Sequence, residues 1–500
     1  MDHYALGLKL AAAGQHARAI EAFERALGLN PNDTRTLFAL GNTARVLGLK
    51  AAAEEFYRRV LALEPQRLEA IVNLANLLRS SAQFAAAEAL LQPVLAEAPD
   101  NVDLLLALGS TKREQGKTEE AIALYRQALA QSAGFVPALV NLADLLADDG
   151  ADDEALALYD RALKSDSHNA QGRLNRAILF LLRGNLKEGW RDYAARLQMP
   201  GKVPLADHGL KRWSGDSLKR TRLLATAEQG VGDHLMFASL MPELVARAAA
   251  EGGSVIVECE PRLRTLFARS FPAVACHDWD IETRDGVLRT HYGWLKTIGG
   301  ANAAIEIGSL PRLMRKTLEA FPAPHAYLVA DGEEAARWRS AFSELPRPLI
   351  GLCWRSGSAG GDRARQYAPM EAWADFLRIL PGTAICAQYD AKPEEIAALS
   401  ALSGKPVIVP QGIDQKRELD RAAALFSVLD AVVTAPTAVS WLAAGLGVPT
   451  FKILYNNSWT SFGTSVEPFA PSAHCLMPQA SGDWADGLAQ ALDKIRSLPA

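Results

Sequence analysis

Three short stretches of this chain carry the residues equipped for chemistry. The first, ATAEQGVGDHL, sets Gly230, Gly232, Asp233 and His234 in a turn that opens a helix. A carboxylate there can take the proton of a hydroxyl. It can equally cap the helix, and spacing alone favours the cap. His234 reads as an acid or an anion contact, beside the plain alternative of a structural histidine. Glu228 and Gln229 precede the turn, either lining a cleft or sitting in a solvated loop. The glycines give the turn a positive φ or a close helix approach. The second stretch, CWRSGSAGGDRAR, holds Arg355, Ser356, Gly357, Ser358, Arg363 and Arg365. Guanidinium groups grip phosphate or carboxylate in pairs of hydrogen bonds. Serine hydroxyls and the N–H groups of a Gly-rich loop add donors around the same anion, and a solvated charged loop is the plain alternative. The third stretch, TAPTAVSW, starts a helix with Thr437, Ala438, Val439 and Ser440 after Pro436. Helix-start N–H groups favour an anion; an ordinary helix start reads the same way. Trp441 either stacks on a ligand or joins the core.

These residues need strand ends to hold them. From Leu223 the chain reads strand, Gly-containing turn, helix from about His234 to Ala250, then the strand SVIVEC. A second block begins at PLIGLCW and alternates strands GTAICAQYD, KPVIVPQ, DAVVTAP and VPTFKIL with helical segments. Such alternation predicts parallel sheets covered on both faces, with ligands at the carboxyl ends of the strands. GDWADGLAQALDKIRSL is a closing amphipathic helix.

The first 200 residues differ in kind. Pro31, Pro65 and Pro99 recur at 34 residues, each closing an apolar helical pair. The set Ala19/Phe23/Ala26 repeats as Ala53/Tyr57/Val60, Ala87/Leu91/Val94, Ala121/Tyr125/Ala128 and Ala155/Tyr159/Ala162. The period resembles the tetratricopeptide-repeat family, with about five repeats and a degenerate or capping pair from about Ala170 to Gln198 that includes LKEGWRDYAARLQMPG. Two polar rows fall in register: Asn42, Asn76, Ser110 and Asp144; and Asn73, Asn141 and Asn175, with Ala107 interrupting. In this repeat family the first helix of each pair lines the concave face. The resemblance thus makes Asn42, Asn73, Asn76, Asn141, Asp144 and Asn175 a candidate grip on a polypeptide backbone; tolerance of tight helix stacking is the alternative.

Composition bounds the function classes. The 500 residues are 49% hydrophobic and 22% charged, with net charge -4. That describes a globular, multidomain chain without the basic footprint of a nucleic-acid binder. The five cysteines contain no C-x-x-C pair, so buried free thiols in a reducing compartment are expected. The N-terminus lacks the pattern of a signal peptide, and no apolar run is long enough to span a bilayer; a cytoplasmic location is expected. No metal cluster is evident; Asp278 and Asp280 in HDWD read as surface acids. The P-loop and nucleophile-elbow motifs are absent.

The remaining 300 residues resemble glycosyltransferases of the two-Rossmann-domain GT-B type, and more closely bacterial proteins that join tetratricopeptide repeats to a heptosyltransferase-like domain. EGWRDYAAR, RWSGDSLKRTRLLATAEQGVGDHLMFASLMPEL, LIGLCWRSGS, RQYAPMEAW and SVLDAVVTAPTAVSWLAAGLGVPTF carry the likeness. APTAVSWLAAG also looks like flagellin-modifying members, which transfer nonulosonic acids such as pseudaminic acid. The resemblance implies an α-solenoid over 1–199, a linker at 200–219, an acceptor-side Rossmann-like half at 220–344 and a nucleotide-sugar half at 345–500. It implies metal-independent transfer from a nucleotide sugar, a CMP-activated one favoured, to Ser or Thr of an acceptor protein such as flagellin. Asp233 becomes the catalytic base, with His234 beside it. Gly230, Gly232, Arg355, Ser356, Gly357, Arg365, Gln388, Thr437, Ala438, Val439 and Ser440 become donor contacts, Gln388 near the base of the nucleotide. The pattern has Asp at Pro436 and His at Trp441, so an ADP-heptose donor is not implied. A non-catalytic flagellin chaperone or scaffold and a lipopolysaccharide glycosyltransferase are the alternative readings.

Overall fold

The computed structural model describes residues 2–199, 204–284, 287–323, 325–357, 366–478 and 483–498. The chain divides into two compact units, Met1–Asn175 and Arg176–Ala500.

The first unit is a stack of antiparallel helix pairs. Pro31, Pro65 and Pro99 sit in the turns after the second helices, His16–Leu29, Lys50–Leu63 and Phe84–Glu97. Three of the pairs close on an aromatic ring pressed against a glycine. Phe23, Tyr57 and Tyr125 are fully buried. A Cβ added at Gly7, Gly41 or Gly109 would lie 2.4, 2.7 or 2.6 Å from those rings. The turn between the helices of a pair needs a positive φ, supplied by Gly14, Gly48, Gly116 and Gly150; Ala82 takes the same place at φ 58°.

The second unit begins inside the helix Ala170–Leu182. The sequence reading placed residues up to 199 in the solenoid; the compact units divide at 175. The helix Leu186–Tyr193 packs within the second unit: Arg176 holds Asp192 at 2.6 Å, and Trp190 lies edge-on to Trp459, Phe462 and Phe469.

Fourteen strands are described: β1 (Leu205–Ala206), β2 (Lys211–Arg212), β3 (Arg222–Thr226), β4 (Ser254–Cys259), β5 (Ala275–Asp278), β6 (Ile281–Arg284), β7 (Val287–Thr290), β8 (Ala303–Glu306), β9 (Leu349–Cys353), β10 (Thr383–Cys386), β11 (Val407–Ile408), β12 (Ala431–Thr434), β13 (Thr450–Ile453) and β14 (Ala473–Leu476). One parallel sheet has the order β2-β8-β3-β4-β5, the other β11-β10-β9-β12-β13-β14. The six-stranded sheet follows the doubly wound order, which reverses between β9 and β12. Lys211 and Arg212, assigned from sequence to a linker, form its partner sheet's edge strand, and Trp213 beside them is buried. β1, β6 and β7 form a small third sheet.

The single helix expected from His234 to Ala250 is two, Val231–Ala238 and Met241–Glu251. Pro242 sits in the first turn of the second, where its missing N–H ends continuity with the first. Four cysteines are buried, the fifth half-buried, and all are free. Among the described residues no helix is long and apolar enough to cross a membrane.

Candidate functional site

The strand ends that face each other across the second unit are those of β3 and β12. From β3 the chain turns through Glu228–Gly230 into the helix Val231–Ala238; from β12 it turns through Ala435–Thr437 into the helix Ala438–Gly445. The two helices pack together at their first turns, with a Cβ at Gly232 lying 3.6–3.9 Å from Trp441 and Ala438. A cavity of about 260 Å³ opens there, lined by Gly232, Asp233, Thr437, Trp441, Lys452 and Thr460 among others. A second cavity of about 220 Å³, mostly apolar, is lined by Leu235, Tyr389, Phe426 and Leu442. Ala438 lines both.

Asp233 is the third residue of its helix, and Gly230 is the N-cap. Its carboxylate faces the cavity from the first turn of the helix, where the backbone N–H of Gly230 favours its charge. Burial, then the Glu228 charge, pushes its pKa up to about 6, against the opposing pull of Gly230 and Arg196. Such a carboxylate is ionised near neutrality yet basic enough to take a proton.

The residues behind Asp233 form a connected network. Arg196 and Glu228 make a buried, two-armed ion pair at 2.8 and 2.7 Å, and Arg196 also donates to Ser309 at 2.8 Å. Glu228 accepts the Gly308 N–H at 2.7 Å, tying the β3 turn to the β8 turn. The Gln229 amide, oriented to satisfy both ends, donates to Asp233 Oδ1 at 3.3 Å and accepts from Tyr193 Oη at 3.3 Å. Burial holds the Tyr193 phenol well above its usual range, so it stays neutral. The segment EGWRDYAAR, read from sequence as the end of the repeats, therefore supports the β3 turn. Its buried Arg196 six residues after Trp190 was the available signal, but its acid lies 32 residues away.

Several expected site residues are engaged elsewhere. His234 is 1% exposed; its Nδ1 accepts the Glu260 N–H at 3.1 Å, and burial lowers its pKa to about 4. It is a neutral interior group, outside the cavity lining, so the reading as acid or phosphate contact is corrected. Gly230 has φ -72°, and neither it nor Gly232 takes a positive φ, so of the two expected reasons for glycine the conformational one does not apply.

Arg355 is spent on its own half. Its Nε and Nη2 donate to Glu395 at 2.7 Å each, Nη1 to Asp390 at 2.9 Å and Ser356 O at 3.3 Å, and Nη2 to Asp390 O at 3.2 Å. That uses all five donors of a guanidinium. The hydrogen bonds it donates to Glu395 lead the causes that raise its pKa. The expected donor-phosphate contact is corrected to an internal clamp. Gln388 is 2% exposed; its Oε1 accepts the Trp354 and Arg355 N–H groups at 3.1 Å each, and its Nε2 donates to Asp390. It shapes the turn after β9 and does not reach either cavity lining. Ser356 and the exposed Gly357 leave this turn, where the Gly357 N–H donates to Tyr389 Oη at 2.5 Å. Ser358, Arg363 and Arg365 lie outside the described residues.

At the other helix start, Thr437 is the N-cap: its Oγ1 accepts the Val439 N–H at 3.3 Å, and its carbonyl accepts the Ser440 N–H at 3.1 Å. Thr437 and Ala438 line the polar cavity, Val439 lines the apolar one, and Ser440 is fully buried. Two of the amides expected to meet an anion are thus already capped. Pro436 and Trp441, the two departures from the heptosyltransferase-like pattern, both stand on the polar cavity wall. Sequence reading missed Lys452, which joins them there. Its ammonium pairs with the fully buried Glu467 and lies 4.7 Å from the centre of the Trp441 ring.

In the first unit the polar rows join neighbouring repeats. Asn42 Oδ1 accepts from Tyr57 Oη at 2.7 Å and from Asn73 Nδ2 at 2.9 Å. Ser110 meets Tyr125 at 3.1 Å and Asn141 at 3.4 Å. Asp144 accepts from Tyr159 at 2.5 Å and Asn175 at 2.7 Å. Asn76 lacks this pairing because Ala107 stands opposite, and takes Arg79 at 3.4 Å. The expected peptide grip is thus, in its bonded atoms, a set of inter-repeat staples.

Residues 4–67 and 72–137 match one Tetratricopeptide repeat family, and 112–174 match another of the same description. The N-terminal region is built of tetratricopeptide repeats. Over 336 residues the chain is 32% identical to Protein FlbA of Caulobacter vibrioides, covering 65% of this chain and 55% of that protein. It thus spans about half the length of that curated relative. Among solved structures, a thermophilic tetratricopeptide-repeat protein of Thermus thermophilus is 29% identical, covering 36% of this chain and 97% of its own, with TM-score 0.32. MamA is 27% identical over 33% of this chain and 96% of its own, with TM-score 0.29.

Proposed function

We propose that the protein is a metal-independent, GT-B-type protein O-glycosyltransferase. Its repeats capture an acceptor protein, and its second unit transfers a sugar from a nucleotide sugar to Ser or Thr. The observation that carries this reading is the cavity that Asp233 shares with the start of the helix Ala438–Gly445. Asp233 takes the acceptor hydroxyl proton; its raised pKa suits that task. The helix start, Thr437 and Lys452 offset the charge of the leaving phosphate. The adjoining apolar cavity, with Tyr389 on its wall, suits a nucleobase. The flagellin acceptor and the CMP-activated donor rest on the resemblance of APTAVSWLAAG to flagellin-modifying transferases. The likeness to FlbA is compatible with a flagellar role.

A non-catalytic scaffold is the second reading, favoured by the internal engagement of Arg355 and Gln388. Titration calorimetry with CMP, UDP, GDP and ADP separates the two. Selective binding of one nucleotide, CMP above all, supports the transferase; binding of none while acceptor protein is still captured supports the scaffold.

A further inference from the structure

Gln229 is the amide between the acid at the cavity and the segment behind it. One end of the amide meets Asp233 Oδ1 at 3.3 Å; the other meets Tyr193 Oη at 3.3 Å and Arg196 Nε at 3.2 Å. A carboxylate can only accept, and a guanidinium can only donate. Those two neighbours therefore decide the orientation: the carbonyl end faces Arg196, and the NH2 end faces Asp233. Arg196 keeps its proton at every ordinary pH, so it holds the amide the same way round whatever the charge on Asp233. Arg196 is itself tied down by its two-armed pair with Glu228 and its bond to Ser309. Tyr193 packs edge-on against Trp190 at 5.5 Å and against Trp459 at 5.4 Å. Around Asp233, Glu228 opposes its charge, Arg196 favours it, and Tyr193 is neutral. On the other wall of the cavity stands Lys452, which is paired with Glu467.

We propose that Gln229 is a positioning residue, which Tyr193 and Arg196 hold so that its NH2 group keeps the Asp233 carboxylate charged at the cavity wall. This rests on the reading of Asp233 as the base of a transferase. Burial disfavours the charge on Asp233, and Glu228 sets a like charge beside it. A carboxyl left to those two effects alone would keep its proton and could not take one from a hydroxyl. An N–H that faces it in one held orientation favours the anion over the acid. One such bond to Oδ1 leaves other lone pairs of the carboxylate for the incoming proton. The base is then tuned from outside its own helix, by a segment that precedes both large parallel sheets in the chain.

The test is thermal melting of the full chain from about pH 4 to about pH 8, each variant measured with and without Asp233→Asn. The melting-temperature advantage of Asp233→Asn stops growing where Asp233 of the folded protein ionises, so its plateau reports that acid without any assay of transfer. In Gln229→Met the plateau should begin about one pH unit higher than in the wild type, because the anion has lost a donor. Gln229→Asn, whose shorter amide cannot span both ends, should move it the same way and serves if Gln229→Met does not fold. Tyr193→Phe removes one donor to the amide oxygen and leaves Arg196, so it should move the plateau by less. Ser309→Ala loosens Arg196 but leaves the amide its partners, and should not move it. A plateau that stays in place or falls in the Gln229 variants overturns the proposal. So does an equal move in Ser309→Ala, which would make the effect a general loosening of the network. A moved plateau in a chain that binds none of CMP, UDP, GDP and ADP overturns the transferase reading and leaves the hold of Gln229 on Asp233 standing.

Discussion

Two strand ends in the second unit invite the same expectation and meet opposite fates. β3 leads into a turn with an acid, and β9 leads into a turn with an arginine. Both residues follow the first central strand of a parallel sheet, where ligands gather. Asp233 keeps its carboxylate toward a cavity, with its pKa raised to about 6. Arg355 has every donor occupied by Glu395, Asp390 and nearby carbonyls. Residue type and topological place are thus necessary for a site but do not make one. The partners decide, and a residue already satisfied has nothing left to offer a ligand.

The sharpest way to break this comparison is Asp233→Asn. Transfer should fall by about 10²–10⁴-fold, the usual contribution of a positioned base, while acceptor capture persists. The same variant should be more stable than the wild type at neutral pH. A carboxyl whose pKa rises from 3.8 to about 6 on folding favours the protonated state of the fold. The wild type therefore loses stability as pH rises between those values and no further above them. The melting-temperature advantage of Asp233→Asn should grow from about pH 4 to about pH 6, then level off. An advantage that does not change with pH would remove Asp233 from its buried, charge-opposed setting. Wild-type activity should instead rise with a midpoint near pH 6, where Asp233 of the folded protein ionises.

Arg355→Met probes the other strand end. With a side chain 15% exposed and an ion pair on each of two acids, its loss should cost about 2–3 kcal/mol of stability, less than a fully buried pair. Urea denaturation measures this. Nucleotide affinity, read where the variant is fully folded, should fall by less than about threefold. A tenfold or larger fall without loss of stability would return Arg355 to the donor site.

How much of this was legible in the sequence follows the range of the contacts involved. The 34-residue period sets the solenoid, because each repeat answers mainly to its neighbours. The strand and helix alternation after Leu223 gives the parallel sheets for a similar reason. Asp233 was legible through its glycine turn. Lys452 was not: within VPTFKIL it reads as one charge in a strand, and only the turn carrying Glu467 and the helix carrying Trp441 make it a buried cation. Arg196 was hidden in the same way, its partner Glu228 lying across the end of the repeats. Gln388 was misread because a buried amide and a base-reading amide look alike until their hydrogen bonds are followed.

Glycines sharpen the comparison at its smallest scale, since two of them carry opposite expectations. Gly232 drew attention because it precedes Asp233, yet its φ is ordinary and a Cβ would lie 3.6 Å or more from its neighbours. That is normal contact, so Gly232→Ala should change stability by less than about 0.5 kcal/mol. Gly41, silent in the repeat, faces the ring of Tyr57 with room for no Cβ: the added atom would meet Cε1 at 2.7 Å. Tyr57 cannot withdraw cheaply, because it is fully buried and its hydroxyl is bonded to Asn42 at 2.7 Å. Gly41→Ala should therefore cost about 1–3 kcal/mol by overpacking, and Gly41→Ala with Tyr57→Leu should recover part of it by opening the space the ring fills. Equal effects of the two single substitutions would mean that the aromatic ring is not what requires glycine in the repeat.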